Sequence, residues 1–167
     1  MAKMTALAIV LTAALFGCQQ VRKGQVLLSQ QQTEDAKAKL RTAYAAFNRG
    51  DIDAAVELLD PNVEWIEPVE FPGGGSYRGI AGAKQYLKQS RAGAAQVISE
   101  PEQFITVGDR IVVFVLARVL PKGSNSWQDI RLADVYTFRD GHAIKMHAFA
   151  NREDALRWAG APQVLTK

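Results

Sequence analysis

Cysteine is almost missing from this chain: Cys18 is the single one in 167 residues. That excludes a disulfide scaffold and a Cys-based zinc cluster. Histidine is scarce too; His142 and His147 have no partner at metal-ligand spacing, so neither a metal nor a cofactor is expected. No run of five like charges occurs, and 20 Lys+Arg against 17 Asp+Glu is nearly balanced, so no nucleic-acid partner is expected. Gly73-Gly74-Gly75 lacks the Lys-Ser/Thr of a phosphate loop and reads as a flexible rim. Internal repeats are absent. No hydrophobic run is long enough to span a bilayer: Met4–Gly17 would cover about 21 Å as a helix, against a ~30 Å hydrocarbon core. What remains is 48% hydrophobic and 22% charged, the balance of one folded domain plus an extra segment.

That extra segment is N-terminal. Residues 1–17 carry Lys3 and then the apolar stretch, the layout of a secretory signal. Leu15-Phe16-Gly17-Cys18, followed by Gln19-Gln20, resembles the box that ends a bacterial lipoprotein signal. The resemblance implies cleavage before Cys18 and acylation of its thiol. Several acyl chains at ~0.8 kcal/mol per buried CH₂ would then hold the protein on the membrane of the cell envelope, facing periplasm or exterior. Loss of Lys3 takes the net charge from +3 to +2. Residues 18–33, glutamine-rich and without a clear period, read as a tether of up to ~50 Å.

Residues 34–160 read as one α+β domain, with 161–167 as a tail. A first helix is expected from Thr33-Glu34-Asp35, with Leu40, Tyr44 and Phe47 at helical spacing and Asn48-Arg49-Gly50 closing it. Asp51 caps a second helix over Ile52–Leu59, ended by Asp60-Pro61. A short strand over Val63–Glu67 stops at Pro68; the loop Phe71–Ser76 and a third helix near Ile80–Arg91 follow. Then come strands: Gln96–Val107 broken by Pro101, the continuously apolar Ile111–Leu120 of a central strand, and a hairpin of Trp127–Phe138 with Ala143–Asn151. A final helical turn covers Arg152–Trp158.

Four short motifs stand in this order: Phe47-x-x-Gly50-Asp51-Ile52-x-Ala54, Val63-x-Trp65-x-Glu67-Pro68, Tyr77-Arg78-Gly79-Ile80-x-Gly82, and Val135-Tyr136-Thr137-Phe138-Arg139-Asp140-Gly141. Together they resemble the NTF2-like superfamily, in its SnoaL-like and ketosteroid-isomerase-like branch, over roughly Asp35–Asn151. The resemblance implies a cone: a curved antiparallel sheet wrapped around three N-terminal helices, with an internal pocket and a homodimer as a common assembly.

Alternation puts Ile130, Leu132, Asp134, Tyr136 and Phe138 on one face of their strand, so Asp134 is an acid in an apolar stripe. Burial raises a carboxyl's pKa, and a neutral carboxylic acid can donate to a developing oxyanion; ketosteroid isomerase uses such an arrangement. By resemblance Asp134 stands at that enzyme's oxyanion-hole Asp, and Glu67, before Pro68, at its general-base Asp. The family's hydrogen-bonding Tyr falls on Ala43; Tyr44, about 100° further around the helix, is expected to point elsewhere and to serve as a ligand contact. Trp65, Arg118, Tyr136 and Met146 complete the candidate ligand contacts, with Ala148 and Ala150 beside Met146. Other readings stand beside these. Asp134 could pair with Arg118 for structure alone, Glu67 could be solvated, and an Asp/Arg/Glu cluster would resemble the epoxide-hydrolase branch. His147 alternates with Met146 and is expected to face outward. Two functional readings follow: a lipid-anchored module that binds a small hydrophobic molecule without requiring catalysis, or an isomerase or cyclase on a hydrophobic carbonyl compound, with Glu67 as base and Asp134 as oxyanion donor.

Overall fold

The computed structural model describes residues 27–162. Cys18, the signal segment and most of the tether and tail lie outside them. The first helix, α1 (Gln30–Asn48), starts earlier than expected because Ser29 caps it. Its hydroxyl accepts from Gln32 N–H at 3.2 Å while the Gln32 side chain accepts from Ser29 N–H at 2.9 Å, a reciprocal capping box. Leu28 packs on the core and donates its N–H to the Gly108 carbonyl. Residues 28–33 therefore belong to the domain, not to the tether.

The next helix, α2 (Ile52–Ala55), is shorter than expected although Asp51 caps it as foreseen, its Oδ1 accepting from Ala54 N–H at 3.1 Å. Pro61 does not end a helix; it lies within β1 (Leu59–Glu67), where the register against its neighbour shifts between Leu59 and Glu64. A residue without an N–H is tolerated where the ladder is already interrupted. The glycine-rich stretch contains a short strand unforeseen from the sequence, β2 (Gly75–Arg78), antiparallel to β1. After α3 (Gly79–Ala92) the chain forms a meander of β3 (Gln96–Val107), β4 (Arg110–Leu120), β5 (Gln128–Arg139) and β6 (His142–Phe149), and ends in α4 (Arg152–Ala159). β3 runs through Pro101 with a bulge between Pro101 and Gln103, permitted because β3 is an edge strand.

The sheet order is β2-β1-β6-β5-β4-β3. One pair, β1 with β6, is parallel; the others are antiparallel. The sheet is curved and unclosed around α1–α3, an α+β cone. β4 is covered on both faces, as its apolar run requires. Ile111, Val113 and Val115 join the inner core with Leu40 and Val63, while Val112 packs outside with Ala133, Val135 and, from α4, Ala155 and Ala159. Each fully buried aliphatic side chain contributes ~1.5–3 kcal/mol relative to exposure. No helix among the described residues is long and apolar enough to cross a membrane.

Candidate functional site

The inner core does not fill the cone. A cavity of about 330 Å³ remains between α1–α3 and the concave face of β4 and β5. Strand alternation on β5 sends Ile130, Leu132, Asp134 and Tyr136 into it. From β1 come Trp65 and Glu67, from α3 Tyr86 and Leu87, and from the loop before β2 Phe71 and Pro72. The walls are mostly apolar, with the carboxyl groups of Asp134 and Glu67 among them.

The helix face of α1 is wide enough to present Ala43, Tyr44 and Phe47 together to the cavity. Tyr44 thus points inward, contrary to expectation, and its hydroxyl donates to Asp134 Oδ2 at 2.5 Å. The Tyr136 hydroxyl adjoins that of Tyr44. Burial foremost, with the charge of Asp134 added, raises both phenols well above their ordinary range, so they stay neutral donors. Asp134 itself is half-buried by exposure because its open side is the cavity; protein surrounds it otherwise. Desolvation raises its pKa to about 6, opposed by the Tyr44 hydrogen bond.

Glu67 is more enclosed, 7% exposed. Trp65 Nε1–H donates to its Oε1 at 2.7 Å, and the Tyr86 hydroxyl adjoins it. The rings of Trp65 and Tyr86 lie 6.3 Å apart. Burial raises Glu67 to about 8, the negative charge of Asp134 adding to the rise. Glu67 is therefore not a solvated surface acid.

Arg118 does not reach Asp134. The β4/β5 register sets Val113 opposite Asp134 and Arg118 opposite Asp129, and alternation turns Arg118 away from the cavity that Ala117 and Val119 line. Its Nε lies 3.6 Å from Asp129 Oδ1 and its guanidinium 5.5 Å from the Trp127 ring. Met146 does not line the cavity either. It is 1% exposed and packed in the core, as is Ala148, and β6 contributes no lining residue. His147 faces outward, its ring 4.2 Å from Phe149 and 5.1 Å from Trp158. Tyr86 was missed from the sequence. The spacing of Ala83, Tyr86, Leu87 and Ser90 on α3 carried the signal, an inward helix face with two polar tips. Among the described residues no three His, Cys, Asp or Glu side chains gather as a metal set.

Comparison with known proteins agrees with this geometry. The sequence profile of the SnoaL-like domain matches residues 40–146. No curated protein matches the chain. Among solved structures, an NTF2-like protein of unknown function from Burkholderia pseudomallei is 25% identical, covering 76% of this chain and 98% of that one, with a TM-score of 0.64. TerC, co-crystallised with polyporic acid, is 26% identical over 76% of this chain and 99% of that one, with a TM-score of 0.62. SalBIII, an epoxide hydrolase/cyclase-like enzyme with a role in pyran ring formation in the polyether salinomycin, shares the fold at 22% identity, 70% and 90% coverage and a TM-score of 0.58.

Proposed function

Since the chain belongs to the SnoaL-like family, we propose that its cone binds a small, mainly apolar carbonyl compound and moves a proton on it. The observation that carries this reading is a pair of carboxyl groups in one apolar cavity with separated pKa values, about 6 for Asp134 and about 8 for Glu67. Between those values Asp134 is the ionised group and Glu67 the protonated one. The roles expected from the sequence are therefore exchanged: Asp134 is the base and Glu67 the acid. Asp134 takes a proton from the carbon next to the carbonyl; the electron pair of that C–H bond moves to the carbonyl oxygen, which accepts a hydrogen bond from protonated Glu67. Asp134 then returns the proton to the same or a conjugated carbon, completing exchange or isomerisation. Tyr44 holds the Asp134 carboxylate in place, and the Trp65 indole fixes one oxygen of Glu67 so that the other can face the ligand. Co-crystallisation of the relative TerC with polyporic acid supports a small organic ligand as the occupant.

Native mass spectrometry after exposure to a bacterial extract is expected to show a captured apolar compound. In D₂O the wild type should exchange the acidic C–H of that compound, and Asp134→Asn should slow the exchange by ~10²–10⁴-fold. Equal exchange rates would leave a binding module without chemistry; no captured compound would remove the ligand as well.

The lipoprotein box adds a location to this proposal: Cys18 carries the acyl anchor, with the domain facing outward from the membrane. Cys18→Ser should move the protein from the detergent to the aqueous phase on Triton X-114 partition, and partition unchanged by the substitution would refute the anchor.

A further inference from the structure

The sheet has a second recess, on its other face. Neighbouring residues of β5 divide between the two: Tyr136 lines the cone cavity and Thr137 the outer recess. Across that outer face the strand registers align Arg78 with Glu64, Glu64 with Lys145, Lys145 with Thr137, and Thr137 with Arg110. Five side chains thus form one row across β2, β1, β6, β5 and β4, about 19 Å long at the usual strand spacing. Arg139 and Asp60 stand in the same recess, and Trp158 of α4 walls it.

The charges of this row do not cancel. Lys145 Nζ sits 2.6 Å from Glu64 Oε2, and the charge of Arg78, opposite Glu64, acts on the same carboxylate. Asp60, its Oδ1 accepting from Asn62 N–H at 2.8 Å, leaves one negative charge in the recess against those of Arg78, Arg110 and Arg139. Arg78 and Arg139 make no ion pair or side-chain hydrogen bond among the described residues. Arg110 is fixed: its guanidinium lies 4.5 Å over the Trp158 ring and one terminal nitrogen donates to the Trp158 carbonyl at 2.9 Å. Its Nε–H is buried without a hydrogen-bond acceptor, 3.9 Å from Asp109 Oδ1. One guanidinium held in place and two with all donors free line a single recess beside an indole.

We propose that this outer recess binds a phosphate group, Arg110 acting as the fixed anchor and Arg78 and Arg139 closing on the anion. Two free donor forks, with the fixed charge of Arg110 beside them, exceed what the two oxygens of a carboxylate accept and suit the three or more oxygens of a phosphate. The Trp158 ring offers an apolar shoulder to whatever bears the phosphate. That bearer is either a soluble phosphomonoester or the headgroup of an anionic phospholipid, both presenting the same oxygens. The site is independent of the cone chemistry, since no residue of the recess lines the cavity.

The test follows the arginine Nε–Hε NMR resonances of the full chain carrying Cys18→Ser while inorganic phosphate is added. Saturable shifts at Arg78, Arg110 and Arg139 are expected, weakened about tenfold or more in Arg78→Gln/Arg139→Gln and unchanged in Arg131→Gln, an exposed arginine of β5 outside the recess. Arg78→Lys/Arg139→Lys keeps the charge without the fork and should bind at an intermediate level. Phosphatidylglycerol vesicles that compete with phosphate, where phosphatidylcholine vesicles do not, assign the bearer to the lipid; phosphate binding without competition assigns it to a soluble ester. Shifts that never saturate, or an Arg131→Gln loss equal to that of the double variant, would mean an adventitious ion only and overturn the site.

Discussion

Replacing Glu67 by Gln is expected to make the protein more stable at alkaline pH. In the unfolded chain Glu67 releases its proton near 4.5, whereas in the folded chain it keeps it to about 8. Between those values the folded state holds more protons, so stability is complete below 4.5 and is lost as pH rises towards 8. Each pH unit in that window removes about 1.4 kcal/mol, or on the order of 5 kcal/mol in all. A Gln is neutral throughout, nearly isosteric, and can still accept from the Trp65 indole. The gain of Glu67→Gln over wild type should therefore be small near pH 5 and grow by several kcal/mol near pH 8.5. Urea unfolding followed by tryptophan fluorescence at a series of pH values reads the difference directly.

Taking the difference between two chains removes the titrations of groups that do not act on Glu67, and Asp134 is the coupled exception. Asp134 has a raised pKa and the same sign, with its window from 3.8 to about 6. His147 has the opposite sign: burial holds it below 6.5, so its contribution is present at higher pH and is lost as pH falls. The surface pairs of Asp53 with Lys84 and Glu64 with Lys145 lower those carboxyl pKa values, so their effects are complete below the window. A difference that stays flat from pH 5 to about 8.5 would show that Glu67 ionises normally, and its assignment as the acid would fall with it.

Two further outcomes follow from the same geometry. Tyr44→Phe removes a hydrogen bond to a carboxylate, typically worth ~1.5–3 kcal/mol, so the Asp134 pKa should rise further and the acidic limb of turnover should move to higher pH; a carboxyl-¹³C titration giving an unchanged or lower value would refute the role of Tyr44. Gly74→Ala would set a Cβ 1.9 Å from the Pro68 carbonyl oxygen, forcing the loop that carries Phe71 and Pro72 to shift; a thermal midpoint lowered by several degrees and weaker ligand retention are expected, and an unchanged melt with unchanged retention would show the loop to be tolerant.

Much of the fold was legible because the core-forming patterns are long. The apolar run of β4, the alternation of β5 and the helical spacing of Leu40, Tyr44 and Phe47 each bury a definite face. The failures fell where local rules met tertiary ones. Pro61 reads as a helix stop, yet the sheet takes it into β1 where the ladder is interrupted. The glutamines before Thr33 look like linker, but Ser29 and Gln32 cap one another and Leu28 finds the core. Gly75 and Ser76 look like loop, but the edge of β1 pairs with them.

The site was legible as positions and not as roles. Alternation alone puts Asp134 inward, and the Trp65-x-Glu67 spacing puts both of those side chains on one face of β1. Which carboxyl holds its proton depends on what surrounds each, and those neighbours come from distant parts of the chain. Glu67 lies against an indole two residues away and Tyr86 of α3, whose hydrogen bonds favour its ionised form, but burial and the charge of Asp134 outweigh them. Asp134 keeps an opening to the cavity and gains a phenol donor from α1, 90 residues earlier. Burial and the charge of Asp134 hold the proton on Glu67, while the Tyr44 hydrogen bond favours the ionised form of Asp134. The resulting interval, from about 6 to about 8, is the pH range in which, under the proposed roles, Asp134 is ionised and Glu67 protonated. A proton-transfer site built this way should work best near neutrality, and losing Tyr44 should narrow its profile from the acidic side while leaving the alkaline limb to Glu67.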